Sequence, residues 1–169
     1  MEYRELKKLL GNRLALKAVK TFRGMDGVGL NADLWFDGKK VAFCMDEGCG
    51  GEMRIDFYPH DEKEAEVEAF VKSLGIPAEH VVIDAKHSID MEYDLEHIVN
   101  TIVDGMEEER QLRRKCKTKT LTRLTNGKVI SWNRIFSPEV KKMIQSKEPE
   151  LLKDYGADIA AFVNEEMGC

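Results

Sequence analysis

The sequence predicts an α+β fold: an antiparallel β-meander packed with a helix, followed by a long helix, a second β-hairpin and two C-terminal helices. Three observations carry this expectation. Apolar and polar residues alternate between residues 13 and 58, the period of strands with one buried face. Apolar stripes at helical spacing occupy 62–74 and 92–116. The dipeptides Asp37-Gly38 and Asn126-Gly127 separate alternating runs, where type I′ hairpin turns form.

Each element follows in order. Residues 2–10 read as a short helix with Leu6, Leu9 and Leu10 on one side, stopped by Gly11-Asn12, two residues that tolerate positive φ. Leu14, Leu16 and Ala18 then begin the period of two. Leu30, Ala32, Leu34 and Phe36 continue it, Val41, Phe43 and Met45 follow the Asp37-Gly38 turn, and Met53, Ile55 and Phe57 follow the loop DEGCGG. Asp61 is the expected cap of the next helix. Its stripe Val67, Phe70, Val71 and Leu74 should pack on the Leu34, Phe36, Phe43 and Ile55 face of the sheet, and Gly75 and Pro77 end it. VVID (81–84) is a short apolar run suited to a strand. The longest helix, 92–116, carries the stripe Leu95, Ile98, Val99, Ile102, Met106 and Leu112. Its Glu107–Glu109 precede Arg113–Lys115, the sign order that suits a helix dipole. Residues 118–133 read as the second hairpin. Ser137-Pro138 starts a helix with a capping serine and a proline at the first position. Pro149 begins a final helix burying Leu152, Tyr155, Ile159, Phe162 and Val163. Without repeats or a low-complexity linker, residues 1–169 are expected to form a single domain, with a loose subdivision into 1–90 and 91–169.

Composition narrows the function classes. At 43% hydrophobic and 34% charged, the chain belongs with folded globular proteins rather than disordered or membrane-embedded ones. No apolar run approaches the roughly 20 residues of a membrane span. The charged N-terminus MEYRELKKLLGNR lacks the apolar core of a signal peptide, so the cytoplasm is the expected location. The four cysteines, Cys44, Cys49, Cys116 and Cys169, are expected as thiols there, the last of them frayed. The net charge of −5 is unevenly spread. Residues 110–123 hold seven basic residues and no acidic one, leaving 19 basic against 31 acidic in the remainder.

That basic stretch is the first candidate site: Arg110, Arg113, Arg114, Lys115, Lys117, Lys119 and Arg123. Helical spacing groups the first arginines, and Lys117, Lys119 and Arg123 are expected to alternate on one strand face. Such a cluster can track a phosphate backbone or meet an acidic protein surface. No aromatic residue interleaves with it, which argues against a stacking platform for single strands, unless Trp132 and Arg134 supply one across the hairpin. Its plain alternative is a solvated face neutralised by the acidic remainder.

Other chemistry is less complete. Asp46, Glu47, Gly48, Gly50 and Gly51, around Cys49, form a glycine-rich loop that could line a ligand. It opens no helix, and its two acids would repel phosphate, so a structural turn is favoured. Cys44, Cys49, His60 and Cys116 lack the paired close spacing of a zinc site, and no metal or other cofactor is expected. Asp56 on a strand, with Asp84-Ala85-Lys86 after an apolar run, faintly follows the acid and D-x-K arrangement of metal-dependent nucleases. Two solvated residues at a strand end explain it as well. No nucleophile elbow is present. His60, His80, His87 and His97 fall in no catalytic pairing, and His97 reads as a boundary residue.

The segment VGLNADLWFDGKKVAFCMDEGCGGEMRIDF, with its DGKKVA turn and strand and D-E-G-x-G-G loop, resembles a module of small uncharacterised accessory proteins of bacteriophages and mobile elements. KCKTKTLTRLTNGKV, SPEVKKMI and the terminal VNEE are similar to their second half. The resemblance brings no catalytic residues. It implies a bacterial host cell and a role in binding, and inhibiting, host machinery. The expected function is therefore a non-enzymatic protein that binds a host macromolecule, such as a CRISPR effector or nuclease of a bacterial defence complex. A direct nucleic-acid binder using the basic stretch, a metal-dependent nuclease, and a sponge for a nucleotide signal are the alternatives. The oligomeric state is left open.

Overall fold

The computed structural model of the chain describes residues 1–59, 63–82, 84 and 87–169. It is α+β and divides into two compact units, Met1–Gly105 and Met106–Cys169.

The first unit opens with α1 (Tyr3–Leu10), which buries Leu6 and Leu10, one turn apart. Leu9, expected beside them, is exposed. Gly11 ends the helix at φ +57°. The four strands β1 (Leu14–Arg23), β2 (Val28–Phe36), β3 (Lys39–Asp46) and β4 (Arg54–Phe57) then form the antiparallel meander in the order β1-β2-β3-β4. Both turn residues Asp37 and Gly38 have positive φ, as a type I′ turn requires. Arg13 fastens this turn. Its guanidinium donates two hydrogen bonds to the Asp37 carboxylate at 2.9 and 2.8 Å, and it lies over the rings of Phe36 and Phe70.

Two bulges alter the expected faces. The β1–β2 register shifts between Lys17 and Lys20, where Ala18 takes φ +51° and stands exposed instead of entering the core. The β2–β3 register shifts between Leu34 and Trp35: Leu34 pairs with Ala42 while Trp35 pairs with Lys40, leaving Val41 as the extra residue. Because strand side chains alternate, a one-residue slip moves every later side chain to the other face. Val41 and Ala42 are both buried, and Cys44 rather than Phe43 then faces the core. Cys44 pairs with Ile55, and Phe43 with Asp56, so Phe43 lies on the face opposite Ile55. The core face keeps Leu14, Leu16, Leu30, Ala32, Leu34 and Phe36, all buried. Against it lies α2 (Glu64–Ser73), whose Val67 and Val71 are buried and whose Phe70 ring meets Phe36 at 5.6 Å. The expected cap Asp61 lies outside the described residues.

After α2, β5 (Glu79–Val82) pairs with β6 (Ser88–Met91) as a separate two-stranded ribbon. The strand thus starts earlier than VVID suggests, and it has a partner that the sequence pattern did not mark. The long helix is α3 (Leu95–Cys116), and the boundary between the units falls inside it. Its Ile98, Val99 and Ile102 are buried in the first unit, and Leu112 and Cys116 in the second.

The second unit is a three-stranded antiparallel sheet, ordered β8-β7-β9, with helices. The central β7 (Thr120–Leu124) is buried on both faces and pairs with β8 (Val129–Trp132) through the Asn126-Gly127 turn. Leu121 packs with Leu112, Cys116 and Val163 on one face. Leu124 packs with Ala157, Ile130 and Trp132 on the other. Ser137 caps α4 (Pro138–Gln145) by accepting the Val140 N–H. The expected final helix is shorter. α5 (Glu148–Tyr155) stops before Gly156, which takes φ +63°. Ile159–Phe162 becomes β9, paired with β7, and α6 (Val163–Met167) follows. An apolar IAAFV run suits either period, and pairing with an open strand edge decides it. The Leu152 side chain, expected on that helix's buried side, lies outside the described residues.

Candidate partner-binding surface

The basic stretch lies in the second unit, at the C-terminal end of α3 and in the turn that follows. Arg113, Arg114 and Lys115 occupy the last helical turn, where cations oppose the negative end of the helix dipole. Lys117 and Lys119 lie in the turn between α3 and β7, not on a strand as alternation suggested, because β7 begins only at Thr120. The Thr118 and Lys119 N–H groups both donate to the Lys115 carbonyl and hold that turn.

The seven cations differ in what they meet. Arg110 donates to Glu107 at 2.8 Å, one turn back on the same helix. Arg123 sits on β7, 3.6 Å from Glu166, and is half-buried. Neither therefore projects as an uncompensated charge. Arg113 donates to the Met167 carbonyl at 3.4 Å. Arg114, Lys115 and Lys117 are exposed and have no ion-pair partner among the described residues; Lys119, half-buried, has none either. Trp132 does not supply a stacking surface for them. It pairs with Thr120 on the Leu124 face of the sheet, away from the Leu121 face that α3 covers, and its indole N–H donates to Thr122 at 3.0 Å.

One residue that sequence reasoning passed over fixes this geometry. Asn164, wholly buried at the start of α6, accepts the Leu121 N–H at 2.7 Å. Its amide donates to the carbonyls of Cys116 and Lys119 at 3.2 and 2.9 Å. It thereby ties the end of α3, the basic turn and the start of β7 together. No local pattern marks it, since its partners lie more than 40 positions upstream.

In the first unit, the glycine-rich loop folds back on the β1–β2 turn. Asp46 accepts the Gly48 N–H at 2.7 Å, and Gly48 accepts the Asp26 N–H at 2.9 Å. Gly48 has φ +67°, and a Cβ there would come within 2.7 Å of the Gly29 nitrogen. A Cβ on Gly24 would meet the Gly48 carbonyl oxygen at 2.5 Å. These glycines serve backbone-to-backbone packing. Gly51 has open space around it, and Glu47 and Cys49 are exposed, the Cys49 thiol 3.7 Å from the Glu47 carbonyl.

The remaining candidates are dispersed. Burial, with the nearby Asp33 charge, pushes the Cys44 thiol up to about 12. Burial, together with a hydrogen bond to the Cys169 thiol, pushes Cys116 up to about 11. Cys169 is held rather than frayed, its N–H donating to the Asn164 carbonyl at 2.9 Å. Asp56 pairs with Arg54 at 2.7 Å, and Asp84 engages the His87 backbone and ring. His60 and Lys86 lie outside the described residues. Among the described residues no group of three or more His, Cys, Asp or Glu side chains is placed to hold a metal ion. His97 is half-buried and bonded to Asp94. Burial alone would raise the Asp94 carboxyl, but hydrogen bonds from His97 hold it below the usual carboxylate range.

Compared with known protein families, curated proteins and solved structures, the chain matches none of them. Its chemistry must be read from its own charge distribution. The first unit holds 13 basic and 21 acidic residues, a net −8; the second holds 13 basic and 10 acidic, a net +3. The basic cluster therefore stands on a unit that is itself positive. Among the described residues no helix is long and apolar enough to cross a membrane.

Proposed function

We propose that the chain is a non-enzymatic binding protein that docks an acidic surface of a protein partner through Arg113, Arg114, Lys115 and Lys117. The observation that supports this is the residue of positive charge left after local pairing. Arg110 and Arg123 meet carboxylates, while these four meet none among the described residues. Complementary charge of this kind steers encounter and selects partners. The resemblance to phage accessory proteins suggests the setting: a component of a bacterial host's defence complex, such as a CRISPR effector or nuclease, inhibited by occupancy. A protein partner is favoured over nucleic acid because the whole chain is acidic at −5, whereas general nucleic-acid binders are basic overall.

The test is charge reversal of the four residues in the full chain. Capture from bacterial lysate should lose the specific partner. Association with that partner should slow, more at low salt than at high salt. Labelled duplex and single-stranded DNA should bind weakly. Tight binding with a log–log salt slope of roughly −3 to −4 would replace the protein partner by a phosphate backbone. Unchanged partner capture would reduce the cluster to a solvated helix end.

A further inference from the structure

The first unit carries a cavity of about 310 Å³ beside β4. Its apolar lining is Ile55 and Phe57 of β4, Val71 of α2 and Leu95 of α3. Around these stand Glu64 and Glu68, one turn apart on α2, and Glu92 before α3, against one cation among the described residues, Lys72. Two further carboxylates here are already engaged, Asp94 by His97 and Glu96 by the Met53 N–H. Glu64, Glu68 and Glu92 have no ion-pair partner among the described residues. An apolar lining below unpaired carboxylates matches a lysine or arginine side chain, whose stem is apolar and whose head is cationic.

The backbone beside the cavity adds a second requirement. β4 is the last strand of its sheet. The Tyr58 N–H donates to the Val41 carbonyl, which places residues 54, 56 and 58 in the phase that bonds β3. In an antiparallel pair the alternate residues point their N–H and C=O groups away from the partner. Those residues are Ile55 and Phe57. Among the described residues neither has a backbone hydrogen bond on that outer side. Their side chains line the cavity, so the same two residues offer both a strand edge and part of an acid-rimmed pocket.

We infer that β4 and this cavity form a docking site for an extended basic segment of a partner protein, added to the sheet beside β4 with alternate lysine or arginine side chains in the cavity. Main-chain bonds to Ile55 and Phe57 give the alignment, and the carboxylates give the selection. A small diamine would satisfy the carboxylates but not the strand edge. The site is independent of the role given to the basic cluster.

The test uses the full-length protein and labelled peptides of about ten residues, long enough to overrun a strand of this length. A peptide alternating arginine and threonine should bind, and one alternating glutamate and threonine should not. Glu64→Lys with Glu68→Lys, both at exposed positions, should weaken binding by roughly tenfold. Their circular dichroism should match that of the parent chain. N-methylation of either all arginines or all threonines of the peptide should abolish binding in one series and spare it in the other, since only alternate N–H groups face the strand. No binding of the arginine peptide, equal binding by both methylated series and the parent, or indifference to the two glutamate reversals would each overturn the proposal.

Discussion

At the scale of single residues, Asn164 carries the largest consequence. Replacing it by alanine leaves the Leu121 N–H and the Cys116 and Lys119 carbonyls without their side-chain partner inside a packed region. An unsatisfied buried polar group costs about 1–3 kcal/mol, so Asn164→Ala should destabilise the chain by roughly 2–4 kcal/mol in urea unfolding. Asn164→Asp keeps an acceptor for Leu121 but sets a carboxylate against two carbonyls, and should fare no better. A loss below about 0.5 kcal/mol would show the clip to be dispensable. Asp37 gives a pH dependence. The hydrogen bonds from Arg13 hold its carboxyl below the usual carboxylate range, although burial opposes them. Its contribution is thus present above the unfolded-state value and lost as pH falls through the depressed folded value. A carbon-detected titration should place the Asp37 midpoint below that of an unpaired aspartate, and Arg13→Ala should bring it back. The cysteines differ by burial: Cys49 and Cys169 are exposed, while Cys44 and Cys116 are buried. An aromatic disulfide reagent should titrate two thiols quickly in the native chain and the other two only on unfolding. Rapid reaction of all four would contradict the burial of Cys44 and Cys116.

At the scale of elements, the meander was legible because a period of two survives in Leu30, Ala32, Leu34 and Phe36 and because Asp37-Gly38 has a specific turn chemistry. The bulge at Val41 was not. One extra residue in a strand leaves no mark in composition, yet it exchanges Phe43 for Cys44 in the core. The C-terminal strand β9 was hidden for a different reason. Ile159, Phe162 and Val163 satisfy a helical stripe, and only the open edge of β7, far away in sequence, selects the extended form. β6, SIDM, alternates over only four residues, too short a run to stand out in the sequence, and takes its place by pairing with β5. The basic run was visible residue by residue, but its internal sorting depended on Glu166, which reaches Arg123 only through the fold. The loop glycines make a contrast that mutation can read. Gly24→Ala drives a Cβ into the Gly48 carbonyl, whereas Gly51→Ala meets open space. The first should cost on the order of 1–3 kcal/mol and the second a few tenths. Equal thermal shifts for the two variants would show that the loop does not close on the β1–β2 turn.

At the scale of the whole molecule, the charges divide with the structure: net −8 in Met1–Gly105 and net +3 in Met106–Cys169. A chain of modest overall charge thus carries an acidic half and a basic half, suited to partners of opposite sign. The division into units also makes a claim about opening. Regions with their own cores exchange amide hydrogens as separate cooperative groups. Asn164→Ala should therefore speed exchange in residues 112–124 and 129–132 while leaving β2, β3 and the Ile98–Ile102 turns of α3 near their original rates. Equal acceleration in both units would mean that they open as one. The tie made by Asn164 also bears on birth order. Leu121 and Asn164 are 43 positions apart, and β9 lies between them in sequence. On the ribosome, chains emerge at about 5–20 residues per second and fold unit by unit. The meander has all its strands once Phe57 has emerged, whereas β7 waits with one edge open and the Leu121 N–H unmatched until Asn164 arrives. During those seconds the end of α3 and the basic turn lack the tie that the Asn164 amide makes to the Cys116 and Lys119 carbonyls.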